Sequence, residues 1–197
     1  MSLLSWRRAI AELYAQARVE PDPERAWNRW RHGRDELFRD HPDSPIPADR
    51  RDDFDGLKYW PYQPGLRFDV PVEPAEATRI EVPTGTDGVV PYHRIGRLAL
   101  PGLGALDVWW LDSYGGGIFV PLRDATAGER TYGGGRYVID TVKGADLGGA
   151  AGRLVIDLNF AYNPSCAYDP AWACPLAPPG NVLPEPAPAG ELTWSET

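Results

Sequence analysis

Histidine, cysteine and methionine are scarce in this sequence: three, two and one among 197 residues. That scarcity narrows the chemistry. Structural zinc takes four closely spaced His or Cys ligands. His32, His41 and His93 are scattered, and Cys166 and Cys174 are too far apart in sequence to make a paired ligand motif. No metal site is expected, and the question of a cofactor stays open. No run approaches the roughly 18 apolar residues of a membrane span. The first residues carry Trp6-Arg7-Arg8 and Glu12, which interrupt the apolar stretch of a secretion signal. A cytoplasmic protein without membrane contact is expected, its cysteines thiols by default. The G-x-S-x-G of a nucleophilic serine is missing, and so is the Gly-Lys-Ser/Thr of a phosphate loop.

Clustered positive charge is lacking too. Net charge is −8. Residues 1–60 hold 11 Lys+Arg against 12 Asp+Glu, and the rest hold 9 against 16, so the acidity belongs to the later part. Phosphate backbones need grouped cations, which argues against a nucleic-acid partner. Arg25, Arg29, Arg31, Arg34 and Arg39 have acids between them, a pattern that reads as a solvated helix face with local ion pairs.

Aromatic residues are plentiful: eight Trp, nine Tyr and five Phe. They suit a ring-rich core or a ring-lined cavity. Helical spacing over 3–18 (Leu3, Trp6, Ile10, Leu13, Ala17) and over 22–39 (Trp27, Trp30, Leu37, Phe38) predicts two helices, with Asp22 as a cap and Pro23 at the first turn. A short helical turn is expected over 47–53. Alternation then predicts strands at 66–72, 77–83, 89–100, 105–112, 117–123, 130–140 and 153–161. Asp87-Gly88 signals a hairpin and Gly96 a bulge; strand 105–112, apolar on both faces, is expected at the centre. The fold class is α+β. One domain is expected, with a helical front (1–53), an antiparallel barrel-like or sandwich body (54–161) and an extended Pro-rich wrap (162–197) that loosens after about Pro186.

Ser113-Tyr114-Gly115-Gly116-Gly117-Ile118 is echoed 18 residues on by Thr131-Tyr132-Gly133-Gly134-Gly135-Arg136. The glycines suit bends in a curved sheet or close approach of a ligand to bare backbone. The echo singles out Arg136, which replaces an apolar residue. Arg136 shares a strand face with Val138 and Asp140, and Asp157 shares one with Asn159. If these faces meet, Arg123 and Arg136 grip an anionic group beside Asp157 and Asn159. The same charges also suit a structural ion-pair set. Asp124 and Asp157 are candidates for acid–base work, or Asp124 merely caps a turn. Cys166 and Cys174 suit a disulfide or a packed thiol pair first; Cys166 is otherwise a candidate nucleophile given a base, and His93 is the only histidine of the β-body.

Arg123-Asp124-Ala125-Thr126, Glu129 to Tyr137, Asp157-Leu158-Asn159, Ala161-Tyr162-Asn163-Pro164, Cys166-Ala167-Tyr168 and Cys174-Pro175 form a specific set. With Phe54-Asp55-Gly56-Leu57 and Tyr59-Trp60-Pro61, they resemble the bacterial and archaeal family catalogued as domain of unknown function 1684. The resemblance spans about residues 24–191. It implies a stand-alone domain whose signature is the polar cluster rather than the helices, and names no activity. Phe160 stands where the family pattern has arginine, and Gly180-Asn181-Val182 where it has Glu-Asn-Arg.

Three functions are open at this point. A small-molecule-binding β-domain uses Trp109, Trp110, Tyr132, Tyr137 and Tyr162 as walls and Arg123, Arg136, Asp157 and Asn159 as anchors for a polar or anionic ligand. A hydrolase or lyase uses Asp124 and Asp157, with Cys166. A structural or interaction module needs no pocket.

Overall fold

In the computed structural model, which describes residues 1–83 and 88–194, two helices lead into seven strands. Helix α1 is Ser2–Val19 and α2 is Pro23–Asp40. Asp22 caps α2 as its position predicts: the carboxylate accepts from the amides of Glu24 (3.0 Å) and Arg25 (3.1 Å). A single helical turn follows at Ala48–Arg50.

The strands are β1 (Arg67–Pro71), β2 (Arg79–Pro83), β3 (Val89–Leu100), β4 (Gly104–Leu111), β5 (Gly117–Leu122), β6 (Arg136–Asp140) and β7 (Arg153–Asp157). Five form an antiparallel sheet in the order β2-β3-β4-β5-β6, with β4 at the centre. β1 and β7 make a separate antiparallel ribbon in which Arg67 faces Asp157. Asp87 of the expected hairpin turn lies outside the described residues, but β2 and β3 pair as a hairpin requires, Pro83 opposite Val89. The register of β3 on β4 shifts between Arg94 and Gly96, the expected bulge.

The body is not a closed barrel. Among the described residues no ladder joins β6 back to β2. The free edge of β6 is already occupied: Tyr137 and Tyr162 exchange both backbone hydrogen bonds, at 2.8 and 3.0 Å, so the C-terminal segment sits where a closing strand would. Two expected strands are also shorter. Residues 130–135 turn instead, because Gly135 takes φ +91°, and a Cβ there would lie 2.7 Å from the Leu122 carbonyl. Strand β7 stops at Asp157 and passes into a 3-10 turn, Leu158–Phe160.

Both faces of the sheet are buried. Leu98, Leu106, Val108, Val120, Leu122 and Val138 pack with Ile156 of the ribbon and with Leu183, Ala187 and Ala189 of the C-terminal segment. On the other face Tyr92, Trp109, Phe119 and Tyr137 meet Tyr14, Trp27 and Trp30 of the helices. One core is thus aliphatic and the other aromatic. The aromatic load of the sequence goes mostly into the second. Rings there pack edge to face, as quadrupoles prefer: Phe119 on Tyr137 at 4.8 Å and Tyr137 on Tyr162 at 5.7 Å between centroids.

The C-terminal segment does not loosen after Pro186. Ala187, Ala189 and Glu191 are fully buried. Proline composition suggests mobility, but here the backbone between the prolines is bonded to the body. Leu183 N donates to the Arg123 carbonyl, Glu191 N to Ala161 and Leu192 N to Lys58.

Candidate functional site

The sequence-derived anchors do not converge on one cavity. They form separate groups, most of them closed. Arg136, Asp124 and the wrap make the first. The Arg136 guanidinium lies 3.3 Å from Asp124 and donates to the carbonyl oxygens of Ala189, Ala187 and Glu191. Asp124 also accepts from the Ala187 amide (2.6 Å) and the Thr126 hydroxyl (3.1 Å). Both side chains are 1% exposed. The pair clamps the segment 187–191 and leaves no donor turned to solvent. Arg123 is next to Asp124 in sequence, yet its side chain is exposed and its backbone bonds Asn181 and Leu183 instead.

Asp157 and Asn159 form the second group. They meet through a turn rather than along a strand. Asp157 Oδ1 accepts from the Asn159 amide (3.0 Å) and from its Nδ2 (2.7 Å). The Asn159 side chain then grips Gln63 in both directions, at 2.8 and 2.9 Å. Arg67 Nε is 3.6 Å from Asp157 Oδ2. Burial pushes the Asp157 carboxyl up to about 6, against the hydrogen bonds from Asn159 and the charge of Arg67. Arg136 belongs to the first group, so the two polar strand faces do not share an interior.

A third group escapes the sequence reading. Arg34 of α2 is 3% exposed and donates to Glu191 (2.8 Å) and Tyr59 (3.0 Å). Glu191 also accepts from the amide and side chain of Asn163 (3.1 and 3.2 Å) and from the Tyr168 hydroxyl. The guanidinium lies 5.0, 4.9 and 5.1 Å from the rings of Trp30, Phe38 and Tyr162. Burial raises the Glu191 carboxyl while Arg34 pulls it back. Arg34 is therefore not part of a solvated face. Its position, four residues after Trp30 and four before Phe38, puts it on the apolar stripe, and that spacing is the signal that could have found it.

The predicted ring walls are dispersed in the same way. Tyr137 and Tyr162 are buried in the aromatic core. Trp109 is buried and donates from Nε1 to Asn181 (2.7 Å), while its neighbour Trp110 is 42% exposed on the opposite face.

The remaining group is open. Cys166 and Cys174 are free thiols, each partly exposed. The Cys166 amide lies 3.3 Å from Cys174 Sγ, and the Tyr132 hydroxyl donates to Cys166 Sγ at 3.5 Å. The neighbouring Cys174 thiol lowers the Cys166 thiol to about 6, with burial opposing and the Tyr132 hydroxyl assisting. The neighbouring Cys166, together with burial, pushes Cys174 up. His93 is not involved; it stands on β3, 3.3 Å from Asp112. The eight-residue offset between the cysteines hides their proximity because the chain doubles back: Trp172 N bonds the Asp169 carbonyl (3.1 Å), and Ala171 N bonds the Asp169 carboxylate (2.8 Å).

Among the described residues no group of three or more His, Cys, Asp or Glu side chains is disposed to hold a metal ion. A cleft of about 400 Å³ lies between the sheet and the 148–152 loop.

The fold is of a defined kind, an open antiparallel sheet with two helices on one face and a two-stranded ribbon near the other. It is shared with the solution NMR structure of an uncharacterized protein from Haloarcula marismortui. The two are 35% identical, the match covers 86% of this chain and 94% of that one, and the TM-score is 0.59. A family model described as protein of unknown function (DUF1684) matches residues 52–192, and the chain belongs to that family. The matched segment begins after both helices, later than the expected start near residue 24, and takes in all three polar groups apart from Arg34. No curated protein matches the chain. No helix among the described residues is long and apolar enough to cross a membrane.

Proposed function

We propose that the protein carries out thiol–disulfide exchange through Cys166 and Cys174. The observation that carries this is the adjacency of the two thiols in a partly exposed site, the Cys166 amide reaching Cys174 Sγ at 3.3 Å and the Tyr132 hydroxyl reaching Cys166 Sγ at 3.5 Å. The lowered Cys166 thiol and the raised Cys174 thiol separate the roles. The Cys166 thiolate attacks one sulfur of a partner disulfide, forming a mixed disulfide and releasing the partner's other sulfur as a thiolate. Cys174 gives up its proton and attacks Cys166 Sγ. The Cys166–Cys174 bond forms, the mixed bond breaks and the second partner thiolate leaves. Two protein thiols are oxidised and one partner disulfide is reduced; run backward, the sequence oxidises a dithiol.

Treating the reduced protein with a soluble disulfide tests this. The expected product lacks two hydrogens by mass, carries no adduct and returns to the dithiol with reductant. Cys174→Ser is expected to stop at the mixed disulfide on Cys166. A stable adduct on the unaltered protein, with no internal bond, counts against the proposal.

A second reading, small-molecule binding, is favoured by one observation. Apolar side chains (Val72, Ile118, Ile139, Leu154) line the 400 Å³ cleft together with Thr141, Asp146 and Ala151, and Ala151 holds φ +52°. Strained non-glycine backbone beside a concavity is a known companion of ligand sites. Native mass spectrometry that finds a co-purifying small molecule, lost on Leu154→Arg, supports this reading. A clean apo mass removes its support.

A further inference from the structure

The surroundings of the thiol pair say which disulfides it meets. Leu176 and Trp172 are 56% and 48% exposed, a large apolar area for solvent to cover. Both lie in the loop that holds the cysteines. Leu176 adjoins the ring of Tyr132 across Gly134: a Cβ on that glycine would stand 2.9 Å from Leu176 Cδ2 and 2.5 Å from Tyr132 Cε1. The Tyr132 ring and Leu176 close over the side of Gly134 that a Cβ would occupy and so make one continuous surface, and the Tyr132 hydroxyl ends it at Cys166 Sγ.

Charge near the pair does not favour a small anionic disulfide. Lys143 is the cation that acts on Cys174, and it is held by Asp140 at 3.4 Å and lies over the Tyr137 ring. Asp169 adds a carboxylate to the loop itself. The chain carries −8 overall. Glutathione disulfide brings carboxylates that find no free guanidinium or ammonium among the groups just named. A polypeptide disulfide with apolar neighbours meets Leu176 and Tyr132 as it presents its sulfur to Cys166, with Trp172 exposed in the same loop.

Resting on the exchange reading, we infer that the partner is a polypeptide whose cystine is flanked by apolar residues, docked on the Tyr132–Gly134–Leu176 surface beside Cys166.

The test compares three oxidants of the reduced protein: a short synthetic peptide cystine flanked by Leu and Phe, the same peptide flanked by Glu, and oxidised glutathione. Formation of the internal disulfide is followed by mass. The apolar peptide is expected to react about tenfold faster than the other two. Leu176→Ser and Trp172→Ser are each expected to slow it about fivefold, the scale of one partly buried apolar side chain. Both variants should leave the glutathione rate within about twofold and the melting temperature unchanged. Equal rates for all three oxidants, or variants that slow all three alike, overturn the docking surface and leave the exchange reading standing. Failure of every oxidant to form the internal bond removes the exchange reading itself.

Discussion

Arg34 with Glu191 and Cys166 with Cys174 are two polar pairs that both depend on the C-terminal segment, and they are finished to different degrees. Around Glu191 four donors converge, rings surround the guanidinium and water is excluded. Around Cys166 one hydroxyl donates, Cys174 stands beside it, and both cysteines stay partly exposed. A closed pair of this kind holds parts of the chain together, here α2, the Tyr59 loop and the last residues. An open pair of adjacent thiols keeps a reactive group available. The Arg136–Asp124 clamp belongs with the first kind, although its sequence context suggested a ligand grip.

The largest effect is expected where a closed pair is broken on one side. Arg34→Met leaves Glu191 buried without its cation and should cost about 3–5 kcal/mol in urea unfolding. Adding Glu191→Gln to that variant should recover part of the loss, because the unpaired charge is then gone. If Arg34→Met costs less than about 1 kcal/mol, the pair is not closed in the sense argued here.

Asp157 comes next, and its sign is opposite to that of an ordinary paired carboxylate. Its carboxyl is raised from 3.8 to about 6 by burial. The folded protein holds this proton more tightly than the unfolded chain does. The group's stabilising contribution is therefore fully present below about pH 4 and lost as pH rises through about 6. A shift of this size corresponds to at most about 3 kcal/mol. Asp157→Asn should flatten the pH 4–6 limb of the urea midpoint relative to the unaltered protein. Glu191 is raised in the same direction and is present in both, so the difference isolates Asp157. Parallel pH profiles would show that the carboxyl titrates alike folded and unfolded.

Much of this frame was legible in the sequence. The Trp27, Trp30 and Phe38 spacing and the Asp22-Pro23 cap give α2 to within a residue, because both signals are local. The two-faced apolar pattern of 105–112 marks the central strand for the same reason. What was not legible is long-range. Glu191 meets Arg34 across 157 positions, and no periodicity records that. Strand alternation put Asp157 and Asn159 together correctly, but for the wrong reason, since a turn joins them. The barrel failed because Tyr162 takes the edge of β6, a choice between two pairings that local pattern does not rank. The two Tyr-Gly-Gly-Gly copies also bend at different places: φ is positive at Gly116 in the first and at Gly135 in the second, one position out of phase.

The open pair makes the finer predictions. If the Cys174 thiol is the main donor to Cys166, Cys174→Ala should move the pH midpoint of Cys166 alkylation from about 6 back toward the ordinary thiol range. The readout is iodoacetamide labelling of Cys166 against pH, and folding energy should change little, because the site is partly exposed and no buried charge is orphaned. A midpoint unchanged by removing Cys174 would show that the two thiols do not share a hydrogen bond.

Tyr132→Phe tests the weaker donor and carries the smallest effect. The hydroxyl lies 3.5 Å from Cys166 Sγ and is third among the causes that set the thiol, behind Cys174 and the opposing burial. Removing it leaves the ring against Gly134 and Leu176, so docking surface and fold are preserved while one donor is lost. The alkylation midpoint of Cys166 should rise by less than it does in Cys174→Ala, and the melting temperature should stay put. The internal disulfide should still form, since neither sulfur is touched. A shift as large as that of Cys174→Ala would make Tyr132 the principal donor and reverse the order of the two. A lost internal disulfide would give the hydroxyl a part in the exchange steps that the geometry does not assign it.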